Sequence, residues 1–144
     1  MKGPQARIAG LALATVSLLP LGAVALRAGA SSGVDAVREV RIVVHHSRFE
    51  PDALEVARGE TVRFVLENTD PIDHEFIVGD ARLQLVHERG TEAHHPPRSG
   101  EITVPAGTTR STTVTFPRDL DATLFGCHLP GHYAYGMVGT IEVR

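Results

Sequence analysis

The sequence predicts an all-β protein, an antiparallel β-sandwich in residues 37–144 that follows an N-terminal export segment. Apolar residues alternate with polar ones in several short runs after residue 37, which is the pattern of half-buried strands. Turn residues such as Pro, Gly, Asn and Asp separate the runs, and no long stretch has helical periodicity. Short strands at this spacing are typical of two packed sheets.

Length and charge limit the classes of protein that the chain can represent. Its 144 residues carry a formal charge of -3, with 42% hydrophobic and 22% charged residues, which suits one soluble domain of ordinary core size. The first 27 residues hold three basic and no acidic residues, so the remainder has 11 basic residues (14 minus 3) against 17 acidic ones. This acidic balance argues against nucleic acid as a partner.

Residues 1–30 are predicted to be an export signal. Lys2 and Arg7 form a positive start, residues 8–26 are mostly apolar, and Ala28-Gly29-Ala30 has the small-x-small form of a cleavage site. The mature chain would then begin near Ser31, and the protein would lie outside the cytoplasm, in the periplasm or secreted.

An uncleaved membrane anchor is the alternative for the same segment. The apolar run of residues 8–26 is long enough to cross a hydrocarbon layer of ~30 Å if it is helical. In that case the protein would associate with the membrane and face outward. Residues 31–36 follow as a flexible linker, and residues 37–144 form the folded domain.

The strands are predicted in chain order from the alternating runs. Clear alternation occurs at residues 40–44, 62–66, 114–116 and 137–143. Two further strands are expected at residues 74–78 and 122–127, with Phe125 and Cys127 on the same face.

Residues 80–100 fit the strand pattern least. Residues 81–88 are compatible with a short helix or an irregular strand, and His94 and His95 precede a Pro-Pro pair. A loop of this length in a compact domain is usually functional or mobile. The two histidines are interpreted as part of a solvated loop, with a peripheral metal or partner site as the alternative.

Residues 127–137 contain an unusual set of potential metal ligands. Cys127 is the only cysteine of the chain, Met137 is the only methionine besides Met1, and His132 lies five residues from each. With a second imidazole from His74, they would form a trigonal His₂Cys site with a weak axial Met, which suits copper in electron transfer. Zinc could use the same atoms, but it favours further Cys, His or carboxylate ligands over Met.

The ligand spacing resembles that of a known family. Cys127-x₄-His132-x₄-Met137, with His74 after an Asn-Thr-Asp-Pro turn, is similar to the cupredoxins over residues 37–144. The four-residue gap between Cys127 and His132 is closer to rusticyanin and sulfocyanin than to plastocyanin or pseudoazurin. The resemblance implies a Greek-key sandwich that uses these four residues to hold one type 1 (blue) copper ion for single-electron transfer. One departure is Glu75, where many members have Asn or Ser bonded to the cysteine loop.

Three functions are compatible with this pattern. The first is an exported electron carrier, not an enzyme, that exchanges single electrons with redox partner proteins. The second is a copper-binding or copper-delivery protein of the cell envelope that holds the metal rather than cycling it. The third is an enzyme in which an oligomer builds another copper site with His128, although strand alternation is expected to turn that residue away from the first site.

The residues around His132 predict a docking surface. The flanking residues are uncharged: Leu129, Pro130, Gly131, Tyr133, Ala134 and Tyr135. A small apolar patch permits brief, weak docking, whereas a charged rim would have to be desolvated at each encounter. The edge of the His132 ring is therefore predicted to reach the surface and to be the point where electrons enter and leave.

Overall fold

The computed structural model describes Gly3, residues 37–90 and residues 97–144. These residues form nine strands and one helix, in the following order: β1 Arg38–His45, β2 Arg48–Glu50, β3 Ala53–Val56, β4 Thr61–Asn68, β5 His74–Gly79, α1 Ala81–Glu88, β6 Glu101–Val104, β7 Thr109–Thr115, β8 Ala122–Gly126 and β9 Val138–Val143. The predicted export segment (apart from Gly3), the linker at 31–36 and the pair His94-His95 lie outside the described residues. None of the described helices is long and apolar enough to cross a membrane.

The strands form two sheets, which confirms the β-sandwich. One sheet has the order β2-β1-β4-β7 and the other has the order β3-β9-β8-β5-β6. The sheets are mixed rather than wholly antiparallel, because β1 pairs with β4 and β3 pairs with β9 in parallel. Between β1 and β4 the chain crosses to the other sheet, where it forms β3. This crossover allows β4 to lie beside β1 and to run in the same direction.

The core between the sheets is built on aromatic side chains. Phe49, Phe76 and Phe125 are buried, and each pair of their rings has a centroid distance of 5.2–5.8 Å. Such tilted and edge-to-face contacts add to the stabilisation from burial. Gly139 gives the space for this cluster, because a Cβ there would lie 2.2 Å from Cζ of Phe125. Phe125, a member of this packed aromatic cluster, is only two residues before Cys127 in the sequence.

Residues 81–88 form a helix, which decides between the two structures that the sequence allowed. Asp80 caps the helix, since its side chain accepts a hydrogen bond of 2.8 Å from the amide of Leu83. Gln84 is a buried residue of this helix, and its side-chain amide donates to the carbonyl oxygens of Ile77 and Gly79. The helix is therefore fixed to β5 by a polar side chain as well as by packing.

Candidate metal centre

The structure brings His74, Cys127 and His132 together at one end of the sandwich. One donor atom from each residue lies within 4.8 Å of the other two. Cys127 Sγ is 3.2 Å from His132 Nδ1 and 3.9 Å from His74 Nδ1. His74 begins β5, Cys127 directly follows β8, and His132 lies in the loop between β8 and β9. The three predicted ligands thus converge from two neighbouring strands and one loop.

Met137 is buried directly before β9, which begins one residue later than the predicted strand of residues 137–143. Its amide donates to the carbonyl of His132 at 2.9 Å, and its carbonyl accepts from the amide of Cys127 at 3.1 Å. The backbone therefore ties Met137 to two of the other candidate ligands. Its role as the axial donor stays a prediction.

Cys127 lies in an environment that suits a metal-bound thiolate. Burial raises the pKa of its thiol to about 11, although hydrogen bonds from the amides of Glu75 and Leu129 act to lower it. The Glu75 amide lies 3.3 Å from Sγ. The backbone of Glu75 therefore makes a link to the cysteine loop where the family often uses an Asn or Ser side chain. A bound cation would favour the thiolate, which these N–H groups already stabilise.

His74 is oriented by Asp70, a residue that the sequence reasoning assigned only to a turn. His74 Nε2 lies 3.0 Å from Asp70 Oδ2, and both side chains are buried. Burial raises the pKa of Asp70, but hydrogen bonds from Ser47, His46 and His74 outweigh it, and the net pKa is lowered. Because the ionised carboxylate only accepts, Nε2 carries the hydrogen and Nδ1 presents its lone pair towards Cys127. Burial lowers the pKa of His74, which favours the neutral ring that a metal needs.

The turn before His74 is held by the buried residue Asn68. Its side-chain nitrogen donates to the carbonyl oxygens of Ile72 and Val104, at 2.8 and 2.9 Å. Its side-chain oxygen accepts from the amide of Asp70 at 3.0 Å. Every polar atom of this side chain is thus used to fix the segment that carries Asp70 and His74.

His128 is turned away from the three converging residues and contacts helix α1 instead. Its Nδ1 lies 3.0 Å from Glu88 Oε2, and its Nε2 lies 2.7 Å from Gln84 Oε1. Its ring also stacks on Tyr133, with a centroid distance of 4.6 Å. His128 therefore links the ligand loop to the helix.

The loop around His132 forms the predicted uncharged surface. His132 is partly exposed, Pro130 and Ala134 are exposed, and 80% of the Tyr135 side chain is accessible. Leu129 is partly buried and packs against the core. The loop is closed by backbone hydrogen bonds from His132 to Leu129 and from Tyr135 to Gly131. A candidate ligand is thus partly exposed among uncharged loop residues, and the exposed Arg48 guanidinium lies at the edge of this loop, near Gly136.

The donor chemistry of these residues fits copper. A buried thiol, two imidazole nitrogens and a buried thioether residue are soft and borderline ligands of the kind that copper electron-transfer sites use. His74, Cys127 and His132 would hold the ion, and Met137 would be the axial neighbour.

The substitution Met137→Leu tests the axial position. We expect the variant to keep copper and its visible absorption but to have a higher reduction potential, because losing an axial donor disfavours the oxidised ion. Voltammetry measures the potential. Ile141→Leu, a buried change in β9, the strand that follows Met137, is the control and should leave the potential unchanged. A colourless Met137→Leu protein without affinity for copper would contradict a weak axial role.

Comparisons with known proteins agree with this chemistry. A family model described as a cupredoxin-like domain matches residues 17–94, a range that includes His74 but not Cys127, His132 or Met137. The copper-resistant cuproprotein CopI of Rubrivivax gelatinosus is 37% identical over 115 residues, which cover 76% of this chain and 68% of the relative. CopI of Pseudomonas aeruginosa is 30% identical over 148 residues, covering 79% of this chain and 80% of the relative.

A solved structure shows the same fold. The reduced auracyanin of Roseiflexus castenholzii superimposes with a TM-score of 0.63 at 22% identity, covering 76% of this chain and 98% of that one. The closer likeness to rusticyanin and sulfocyanin, inferred from the gap between Cys127 and His132, stays a prediction. The family match, the relatives and the fold together establish that this chain belongs to the cupredoxin family of copper-binding proteins.

Proposed function

We propose that this protein is an exported electron carrier that passes single electrons between partner proteins outside the cytoplasm, and that it is not itself an enzyme. The observation that carries the proposal is the position of His132, which is a candidate ligand and is also partly exposed in an uncharged patch. Copper, when bound, supplies a one-electron couple between its cuprous and cupric forms.

The residues around the centre are arranged to move little. Backbone hydrogen bonds join Cys127 to Met137 and Met137 to His132, and the amide of Glu75 contacts the Cys127 sulfur. Ligands fixed in this way keep one geometry and limit reorganisation when the charge at the centre changes. Burial of His74 and Cys127 also excludes water from most of the site.

The partial exposure of His132 gives a short route to a partner. A partner that covers Pro130, Ala134 and Tyr135 would approach this ring over residues that carry no charge. Small interfaces of this kind are typical of brief redox encounters, in which fast release matters more than affinity. The proposed partners are therefore redox proteins with a matching uncharged surface.

Copper holding or delivery is the second candidate. It is favoured by the relatives, whose names describe copper-resistant cuproproteins. An enzyme with another copper site at His128 has less support, because both ring nitrogens of His128 already lie within hydrogen-bond distance of Glu88 and Gln84. Reversible redox cycling with fast exchange would favour the carrier, and slow or absent cycling would favour the holding protein.

A charge placed in the uncharged patch tests the carrier function. We expect Leu129→Glu to slow electron self-exchange by about tenfold or more, because two copies would then meet with like charges at the contact. The copper spectrum should be almost unchanged. Exchange can be measured from nuclear magnetic resonance line widths in mixtures of the oxidised and reduced protein.

Two further variants make this test decisive. Ala134→Glu places the same charge at an exposed position of the loop, where no core packing is lost, and it should also slow exchange. Thr115→Glu places the charge on β7 in the other sheet and should have little effect. Unchanged exchange in both patch variants would place the electron route elsewhere.

A further inference from the structure

The turn between β1 and β2 brings two exposed histidines together. Neighbouring residues of a strand normally point to opposite faces. Here His46 and Ser47 have φ values of 51° and 53°, a left-handed conformation that is uncommon outside glycine. In this turn the rings of His45 and His46 lie against each other, with a centroid distance of 3.8 Å and an angle of 40° between their planes. Both residues are exposed at the surface.

A buried carboxylate holds this turn in place. Asp70 accepts hydrogen bonds of 2.7 Å from the amides of both His46 and Ser47, one to each carboxylate oxygen. Only 6% of Asp70 is accessible to solvent. Strained backbone persists where the surrounding structure determines it, and such positions cluster at functional sites. The backbone of the turn that carries the two histidines is therefore held in one conformation.

The hydrogen bonds also fix the tautomer of His45. The hydroxyl of Thr69 donates its single proton to the carbonyl of Val44, at 2.8 Å. The Thr69 oxygen must then accept from His45 Nδ1, which lies 3.1 Å away. His45 Nε2 is left with a free lone pair. Histidines that bind metals are usually oriented in this way, by donation from the other ring nitrogen.

His46 completes the pair. Within residues 37–90 and 97–144 its ring has no hydrogen-bond partner, and its contact is the ring of His45. Two imidazole nitrogens are suitable ligands for Cu²⁺, Ni²⁺ and Zn²⁺, and among the divalent ions copper generally binds such sites most tightly. The surrounding positions of the ion would be filled by water.

We propose that His45 and His46 form a second, surface copper site that collects Cu²⁺ and speeds its delivery to the buried centre. The two sites share Asp70, whose Oδ2 contacts both the amide of Ser47 and Nε2 of His74. A single buried side chain thus separates the turn from a candidate ligand of the centre. The surface site has no thiolate and is open to water, and it therefore holds copper weakly enough to release it. This inference rests on the proposed function in one respect, that copper is the ion of the buried centre.

Titration of the metal-free full-length protein with Cu²⁺ tests the inference. We expect two ions per chain: one with the intense visible band, and a weaker one whose electron paramagnetic resonance spectrum shows nitrogen and oxygen ligands. The double variant His45→Gln/His46→Asn should lose the weaker ion and develop the visible band about tenfold more slowly, with the same final spectrum. Asn is chosen at position 46 because it tolerates a positive φ.

Two other variants separate a built site from chance binding. Thr69→Val keeps both histidines but removes the hydrogen-bond acceptor of His45. It should lower the affinity for the second copper ion by roughly tenfold, as the loss of such a partner usually does. His94→Gln/His95→Gln removes the other histidine pair and should change neither ion. Unaltered binding in Thr69→Val would identify adventitious binding to exposed imidazoles and overturn the site. A normal loading rate in His45→Gln/His46→Asn would overturn the delivery role.

The failure of this inference can be told apart from failure of the proposed function. In the Cys127→Ser background, the ion at His45 and His46 is still expected, because neither histidine contacts Cys127. Loss of the visible band in every protein would count against the buried centre. Retention of the second ion after removal of both histidines would count against the surface site alone.

Discussion

The substitution Cys127→Ser is expected to abolish the intense visible absorption of the copper-loaded protein completely. That absorption arises from charge transfer between a thiolate and copper, and Cys127 is the only cysteine of the chain. Its sulfur lies 3.2 Å from His132 Nδ1 and 3.9 Å from His74 Nδ1, and the chain has no second cysteine to supply a thiolate. The visible spectrum and the copper content are measured on the same sample.

The control for this loss is Met137→Leu, which also changes a buried sulfur residue but should keep the band. Thermal unfolding of the metal-free proteins, followed by circular dichroism, shows whether Cys127→Ser still folds. A folded Cys127→Ser protein that retained the band would show that the ligand assignment is wrong.

Much of the fold could be predicted because strand alternation is visible in the residues themselves. Val62, Phe64 and Leu66 are fully buried in β4, as their spacing indicated, and His74 begins β5 at the predicted residue. The parallel pairing of β1 with β4 was not predictable in the same way. Alternation shows which face of a strand is buried, but it does not show the direction of the neighbouring strand.

The candidate ligands were predictable because their side chains are chemically distinctive, whereas the groups that support them are not. The amide of Glu75 contacts the Cys127 sulfur, and a backbone N–H is the same for almost every residue. Asp70 lies in an Asn-Thr-Asp-Pro sequence that suits any tight turn, so nothing marked it as a partner of His74. The pairing of His45 with His46 depends on a left-handed turn without glycine, which strand alternation argues against.

After Cys127→Ser, the substitution Asp70→Asn is expected to have the largest effect on the copper centre. The Asp70 carboxylate accepts three hydrogen bonds, from two backbone amides and from His74. An amide offers a single acceptor oxygen, so its NH₂ group would face either the amide of His46 or both the amide of Ser47 and Nε2 of His74. We expect the affinity for copper to fall about 10–100-fold, as is usual when the partner of a ligating histidine is lost. The reduction potential should rise, because a negative charge that favours the cupric ion is removed. The metal-free protein should lose roughly 1–3 kcal/mol of stability through the unsatisfied buried donor.

The pH dependence of the metal-free protein provides an independent check on Asp70. Because the pKa of Asp70 is lowered in the folded state, its contribution to stability is fully present above the ordinary value of 3.8 and is lost as the pH falls through the lowered value. In the Asp70→Asn variant, the melting temperature should therefore fall less steeply as the pH is lowered. Asp73→Asn is the matched control, since it removes the same charge from an exposed residue that accepts one hydrogen bond, from the amide of Ala106. Equal changes in potential and acid stability in the two variants would mean that Asp70 acts only as a nearby charge and does not orient His74.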